Sequence, residues 1–107
     1  MICIKEGVNV EGLRTEVWKA VYAFKKILDR LKLDVWITSG TEGKHSKTSF
    51  HYLGLACDLR IRHIAKEALN GIVAELKTLL GDFYDVVLHK THIHIEYDPR
   101  AVRYAKG

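Results

Sequence analysis

Ser49-Phe50-His51-Tyr52-Leu53-Gly54-Leu55-Ala56-Cys57-Asp58 and, further on, His89-Lys90-Thr91-His92-Ile93-His94-Ile95-Glu96 are the stretches whose reading decides the fold. Both alternate. In residues 54–61, Leu55, Cys57, Leu59 and Ile61 take turns with Ala56, Asp58 and Arg60, which on a strand sends the two sets to opposite faces. In residues 91–97, Ile93 and Ile95 alternate with His92, His94 and Glu96, so one face is apolar and the other carries two imidazoles and a carboxylate. A second strand-like run, residues 83–88, precedes it with only His89-Lys90 between, which predicts a tight hairpin.

Working outward, residues 34–39 (with Val35, Trp36, Ile37, Thr38) read as another strand, and residues 1–8 as a short edge strand or extended lead-in. From Asn9, read as a helix cap, apolar residues recur at Val10, Leu13, Val17, Ala20, Val21, Phe24, Ile27, Leu28 and Leu31, the three-and-four spacing of an amphipathic helix. Trp18 and Tyr22 lie on or near that stripe and are expected in the core. Residues 65–80 repeat the pattern and stop at Gly81. A polar loop with two glycines, residues 40–48, joins two of the strands. The expected fold is α+β in a single domain, residues 1–107: a mostly antiparallel sheet covered by two main amphipathic helices.

Composition excludes some classes and leaves others open. A chain of 107 residues has room for one core and no linker-separated second domain, so no separate cell-wall-binding domain is expected. No apolar run approaches the ~20 residues of a membrane helix. Residues 1–6 lack the apolar region of a signal peptide, so synthesis in the cytoplasm is expected. Cys3 and Cys57 lack a disulfide framework or a Cys-x-x-Cys spacing and read as reduced, buried thiols. The net charge of +4 permits an anionic partner, but the charge is spread and mixed with acids, so nucleic acid is not favoured.

The chemistry sits in the polar sets. A strand face carrying His92, His94 and Glu96 is costly to bury unless a cation accompanies it. His51 and Asp58, with small Gly54 and Ala56 between them, supply further donors, and small residues there allow another segment to come close. Two ring nitrogens and a carboxylate oxygen suit zinc better than calcium or magnesium, which prefer oxygen shells. Three protein ligands leave a position for water, the arrangement a hydrolytic site needs.

Ser49-x-His51-x-x-Gly54-x-Ala56-x-Asp58 followed by His92-x-His94 resembles the zinc D-alanyl-D-alanine carboxypeptidase family, which includes bacteriophage L-alanyl-D-glutamate endopeptidases and shares its metal site with the hedgehog signalling domain. The resemblance spans roughly residues 36 to 99 and implies a hedgehog/DD-peptidase-like fold. It further implies zinc held by His51, Asp58 and His94, with His92, and by analogy with one branch His89, in catalytic roles. The chain departs from the family in two places. Thr91 stands where other branches carry a glutamate base, leaving His92, His89 or Glu96 for that task. The loop offers Lys44 and His45 where many members have an arginine.

The expected activity is zinc-dependent hydrolysis of peptide bonds in peptidoglycan stem peptides or crosslinks, as carboxypeptidase or endopeptidase. An endolysin-like enzyme of phage or prophage origin, released by a holin or carried on a virion, and monomeric, is the expected setting. Ser49, Lys44, His45, Tyr52 and Arg60 are the candidate substrate-binding residues, and Arg60 has a structural ion pair as its competing role. A catalytically silent zinc-binding recognition module is the alternative function.

Overall fold

A computed structural model describes residues 1–42, 50–51 and 53–99. The elements follow in the order β1 (Ile2–Ile4), α1 (Thr15–Arg30), β2 (Val35–Ser39), β3 (Ala56–Arg60), a 3-10 turn (Lys66–Ala68), α2 (Leu69–Leu80), β4 (Tyr84–Leu88) and β5 (His92–Tyr97). The five strands form one mixed sheet in the order β1-β2-β3-β5-β4, with β1 parallel to β2 and every other pairing antiparallel. The α+β class and the mostly antiparallel sheet are therefore as the alternation predicts.

One parity of the strands makes the core. Val35, Ile37, Cys57, Leu59, Val86, Ile93 and Ile95 are buried together with Val17, Val21, Phe24, Ile27 and Leu28 of α1 and Ile72, Val73 and Leu76 of α2. Both helices thus cover the same face of the sheet, removing one apolar stripe each from water. The opposite parity, Trp36, Thr38, Asp58, Arg60, His92, His94 and Glu96, is only partly buried and forms the open face.

The first helix begins later than its apolar spacing suggests. Residues 9–14 are not helical; Gly12 takes a φ of +84° and turns the chain, and Leu13 N–H closes a turn on the Val10 carbonyl. Asn9 does not cap α1; its Oδ1 accepts from the Glu11 N–H, at 2.9 Å. Tyr22 is 60% exposed and lies outside the core, whereas Trp18 packs against it. Cys57 is fully buried as expected, but Cys3 on the edge strand is only partly so.

Candidate metal centre

Asp58 and His94 meet because of sheet register. They are direct cross-strand partners on β3 and β5, as are Arg60 with His92 and Ala56 with Glu96. Directly opposed residues of an antiparallel pair hold their Cβ atoms about 4.5–5.5 Å apart, and here His94 Nδ1 lies 2.9 Å from Asp58 Oδ1. The alternation that fixes the core on one side therefore fixes two donors on the other.

His51 arrives differently. It sits in a turn before β3, where Gly54 N–H donates to the His51 carbonyl and Leu55 N–H to that of Phe50. That turn is clamped by the segment before α1. Arg14 N–H donates to the Gly54 carbonyl at 2.9 Å, and Gly54 adopts a φ of +75° with its α-carbon against the Gly12 carbonyl, where a Cβ would collide. On the other side Thr41 N–H donates to the Asn9 carbonyl at 2.8 Å, and Gly40 presses on the same Asn9 oxygen. The expectation that a small residue near His51 admits a close-packed segment is met at Gly54, and the segment is residues 9–14.

The result places His51 Nε2 3.4 Å from Asp58 Oδ1. Tetrahedral zinc with ligands at about 2.1 Å separates neighbouring ligand atoms by roughly 3.4 Å. One donor atom from each of His51, Asp58 and His94 lies within 4.8 Å of the others, and among the described residues this is the only group of three or more histidine, cysteine or acidic donors so arranged. All three side chains are mostly buried, at 11%, 17% and 18% exposure.

Donor counting gives the strongest test of fit. His51 Nδ1 is 3.0 Å from the Gly40 carbonyl, and an oxygen of that kind only accepts, so Nδ1 carries the proton. His94 Nε2 is 2.8 Å from Glu96 Oε1 and donates in the same way. The remaining nitrogens, His51 Nε2 and His94 Nδ1, both face Asp58 Oδ1, another acceptor. Neutral rings would present lone pairs to that oxygen. Protonation of both rings satisfies this arrangement, and so does a cation between the two lone pairs and the carboxylate. A metal-binding histidine characteristically donates its other ring nitrogen to a carbonyl or carboxylate, as both do here. The residues therefore fit a metal ion.

Without one, the hydrogen bond with Asp58 raises the pKa of His51, and that of His94 as well, in each case against burial. Burial would raise the Asp58 carboxyl, but hydrogen bonds from His51 and His94 outweigh it and hold the group well below the usual carboxylate range.

The other predicted residues divide clearly. His92 stands beside the centre, its Nε2 3.8 Å from Asp58 Oδ2 and its Nδ1 3.0 Å from the Thr91 hydroxyl. His89 stacks on His92 with ring centres 4.7 Å apart and lies edge-on to His94 at 6.3 Å. Glu96 reaches the cluster through His94. Arg60 has no carboxylate partner among the described residues, which corrects the expected ion pair; its guanidinium lies 4.6 Å over the Trp36 ring. Lys44, His45, Ser49 and Tyr52 lie outside the described residues.

Glu42 was not anticipated. Its Oε1 accepts from Gly40 N–H at 2.7 Å and Asn9 N–H at 3.1 Å, and its Oε2 from the Ser39 hydroxyl at 2.9 Å. Burial would raise its carboxyl, yet the Gly40 and Asn9 bonds hold it below the ordinary value. Glu42 thereby fixes Gly40, whose carbonyl in turn fixes the His51 ring. The sequence signal was a carboxylate two residues beyond a strand-ending glycine, able to fold back on backbone N–H groups.

A cleft of about 480 Å³ opens beside the centre, with Asp58 and His92 in its lining. No family model matches this chain, and no curated protein matches it either.

Proposed function

We propose that the chain is a zinc-dependent peptidase of the hedgehog/DD-peptidase fold, hydrolysing peptide bonds of peptidoglycan stem peptides or crosslinks. One observation carries this reading: two imidazoles with their outer nitrogens already held by oxygen acceptors converge on a single carboxylate oxygen at the edge of an open cleft. The mixed α+β sheet with both helices on the far face is compatible with the fold that the sequence resemblance implies.

His51, Asp58 and His94 would hold the ion, and two nitrogens with one oxygen favour zinc. Zinc in such a three-ligand setting supplies a Lewis acid and lowers the pKa of a water toward ~7. His92 is the residue placed to move the proton. Its Nε2 lies 3.8 Å from Asp58 Oδ2 and borders the cleft, and in the tautomer protonated at Nδ1 that nitrogen can take a proton and return it to the departing amine. Thr91, standing where the resemblance places a glutamate in other branches, instead holds the His92 ring through a hydrogen bond between its hydroxyl and Nδ1 at 3.0 Å. Glu96 is engaged with His94 Nε2, which favours positioning of the ligand over proton transfer. His89 backs the His92 ring by stacking.

The test is digestion of purified peptidoglycan by wild-type and His92→Ala protein, with and without chelator, read by mass spectrometry. New amine termini that require both metal and His92 are expected. Retained zinc with no cleavage of several wall chemotypes would instead make the chain a silent zinc-binding module.

A further inference from the structure

Among the described residues the sheet has two open edges, and they are unlike. β1 is three residues long and runs into Lys5 and Glu6. β4 is five residues long, pairs with β5 without a register shift, lacks proline and glycine, and carries a single charge at Asp85. Its flanks are apolar and exposed, with Phe83 just before it and Leu88 at its end. Short, kinked or charged edges keep sheets from joining, and β4 has little such protection.

Which backbone groups of β4 are unused follows from its ladder. His89 N–H donates to the His92 carbonyl and Asp98 N–H to that of Phe83, so residues of odd number turn their N–H and C=O groups toward β5. Val86 and Leu88 therefore turn theirs to the free edge, two donors and two acceptors without a partner among the described residues. Asp85 is exposed, stands directly opposite Glu96, and has no ion pair among the described residues. Like charges opposed on adjacent strands are unfavourable, so a cationic or donor partner at the free edge would relieve it. His89 has the same parity as Asp85 and is exposed too; its ring touches those of His92 and His94.

We propose that β4 pairs with β4 of a second copy of this chain, antiparallel about a two-fold axis at Val87, so that the partner's Asp85 meets His89 beside the metal centre. With the axis there, Val86 lies opposite Leu88 of the partner subunit in a bonded pair, and the N–H and C=O of both residues are all used. Asp85 then faces the partner's His89, and the reverse by symmetry. Other registers do worse. An axis at Val86 leaves the Leu88 carbonyl facing Tyr84 N–H, which is already given to Gly81. An axis at Asp85 sets two carboxylates face to face, and one at Leu88 sets Asp85 against a threonine. Charge and hydrogen bonding thus select the same register. A carboxylate bonded to a ring nitrogen of His89 holds that ring against His92, so each copy supports the other's proton-transfer histidine. The pairing stands without the peptidase reading; only this consequence rests on it. A dimer replaces the monomer expected from the sequence, and so short a contact predicts association in the micromolar range.

The experiment is sedimentation equilibrium of the zinc-loaded protein over a concentration series from low to several hundred micromolar. Wild type is expected to dimerise. Leu88→Pro removes an N–H that the single chain leaves unused, so it should keep the native circular dichroism and weaken the dimer about tenfold or more, two hydrogen bonds being lost across the axis. Asp85→Lys should weaken it several-fold, and adding His89→Asp should restore it by exchanging the charges. Asp85 is exposed and opposed to Glu96, so this variant keeps the test open should the proline disturb the strand. A monomer at every concentration, or a dimer indifferent to both Leu88→Pro and Asp85→Lys, would overturn the proposal. A dimer that the charge exchange does not rescue would overturn the register, and with it the partner's place at the site. Peptidoglycan digestion is read on the same samples. A rescued dimer without any cleavage would uphold the pairing and count against the peptidase reading instead; cleavage by a strict monomer would do the reverse.

Discussion

The two sides of the candidate metal centre are built by different means. Asp58 and His94 sit on adjacent central strands and are set by a register that the core enforces, because slipping β5 by one residue would expose Ile93 and Ile95. His51 lies in a turn outside the sheet, held by backbone bonds to residues 9–14 and by the Gly40 carbonyl that Glu42 secures. The first side is rigid for the same reason that the protein folds. The second depends on a few polar contacts and two places without room for a Cβ. Coordination strength should therefore fail most completely on the sheet side and most selectively on the turn side.

Removing a donor from the sheet side should have the largest effect. Asp58→Asn and His94→Ala are each expected to lower zinc affinity by more than the ~10–100-fold typical of losing an outer partner, and to abolish any metal-dependent activity. Competition with a chromogenic chelator measures the first and product analysis the second. Asp58→Asn also removes the anion facing both rings, while the buried core of the sheet should keep its near-native circular dichroism.

Gly54→Ala attacks the turn side alone. The new Cβ meets the Gly12 carbonyl at a backbone conformation that alanine avoids, so a destabilisation of about 1–3 kcal/mol is expected, with weakened zinc binding. Chemical denaturation and the same competition assay check both. If zinc affinity is unchanged, the clamp does not position His51. A subtler contrast comes from the outer carboxylates. Glu96→Gln should reduce zinc affinity by roughly tenfold through His94, and Glu42→Gln by less, since it acts on His51 only through Gly40.

How much of this was legible beforehand follows the same division. Period-two alternation marks Asp58, His94 and Glu96 as sharing a face, and helical spacing marks α2 and most of α1, because side-chain direction is fixed by local geometry. Residues 9–14 share the apolar spacing of the helix at Val10 and Leu13, which is why the helix read as starting too early. What ends it is Gly12 turning toward Gly54, a contact between residues far apart in the chain. The Glu42–Gly40–His51 relay is likewise carried by backbone groups, which look alike in every sequence. The stack of Arg60 on Trp36 needed the pairing of β2 with β3 before it could be seen.

The smallest expected effect is on pH dependence. In the metal-free protein the raised folded pKa values of His51 and His94 give stability that is complete below their ordinary 6.5 and lost as pH rises through the folded values. The lowered Asp58 value gives stability present above its ordinary 3.8 and lost as pH falls through its folded value. The site thus stabilises the metal-free chain most between those two limits. Zinc needs both rings deprotonated, so its effect runs the other way. Thermal melts should show a larger zinc-induced rise in Tm at pH 8 than at pH 6.

The claim beneath all of these is that His51, Asp58 and His94 bind one ion and leave a position open beside His92. X-ray absorption spectroscopy of the zinc-loaded protein tests it most directly. Two imidazole nitrogens, one carboxylate oxygen and one exchangeable oxygen at about 2.0–2.2 Å are the predicted shell. A fourth protein ligand, or no zinc retained at stoichiometric loading, would contradict it.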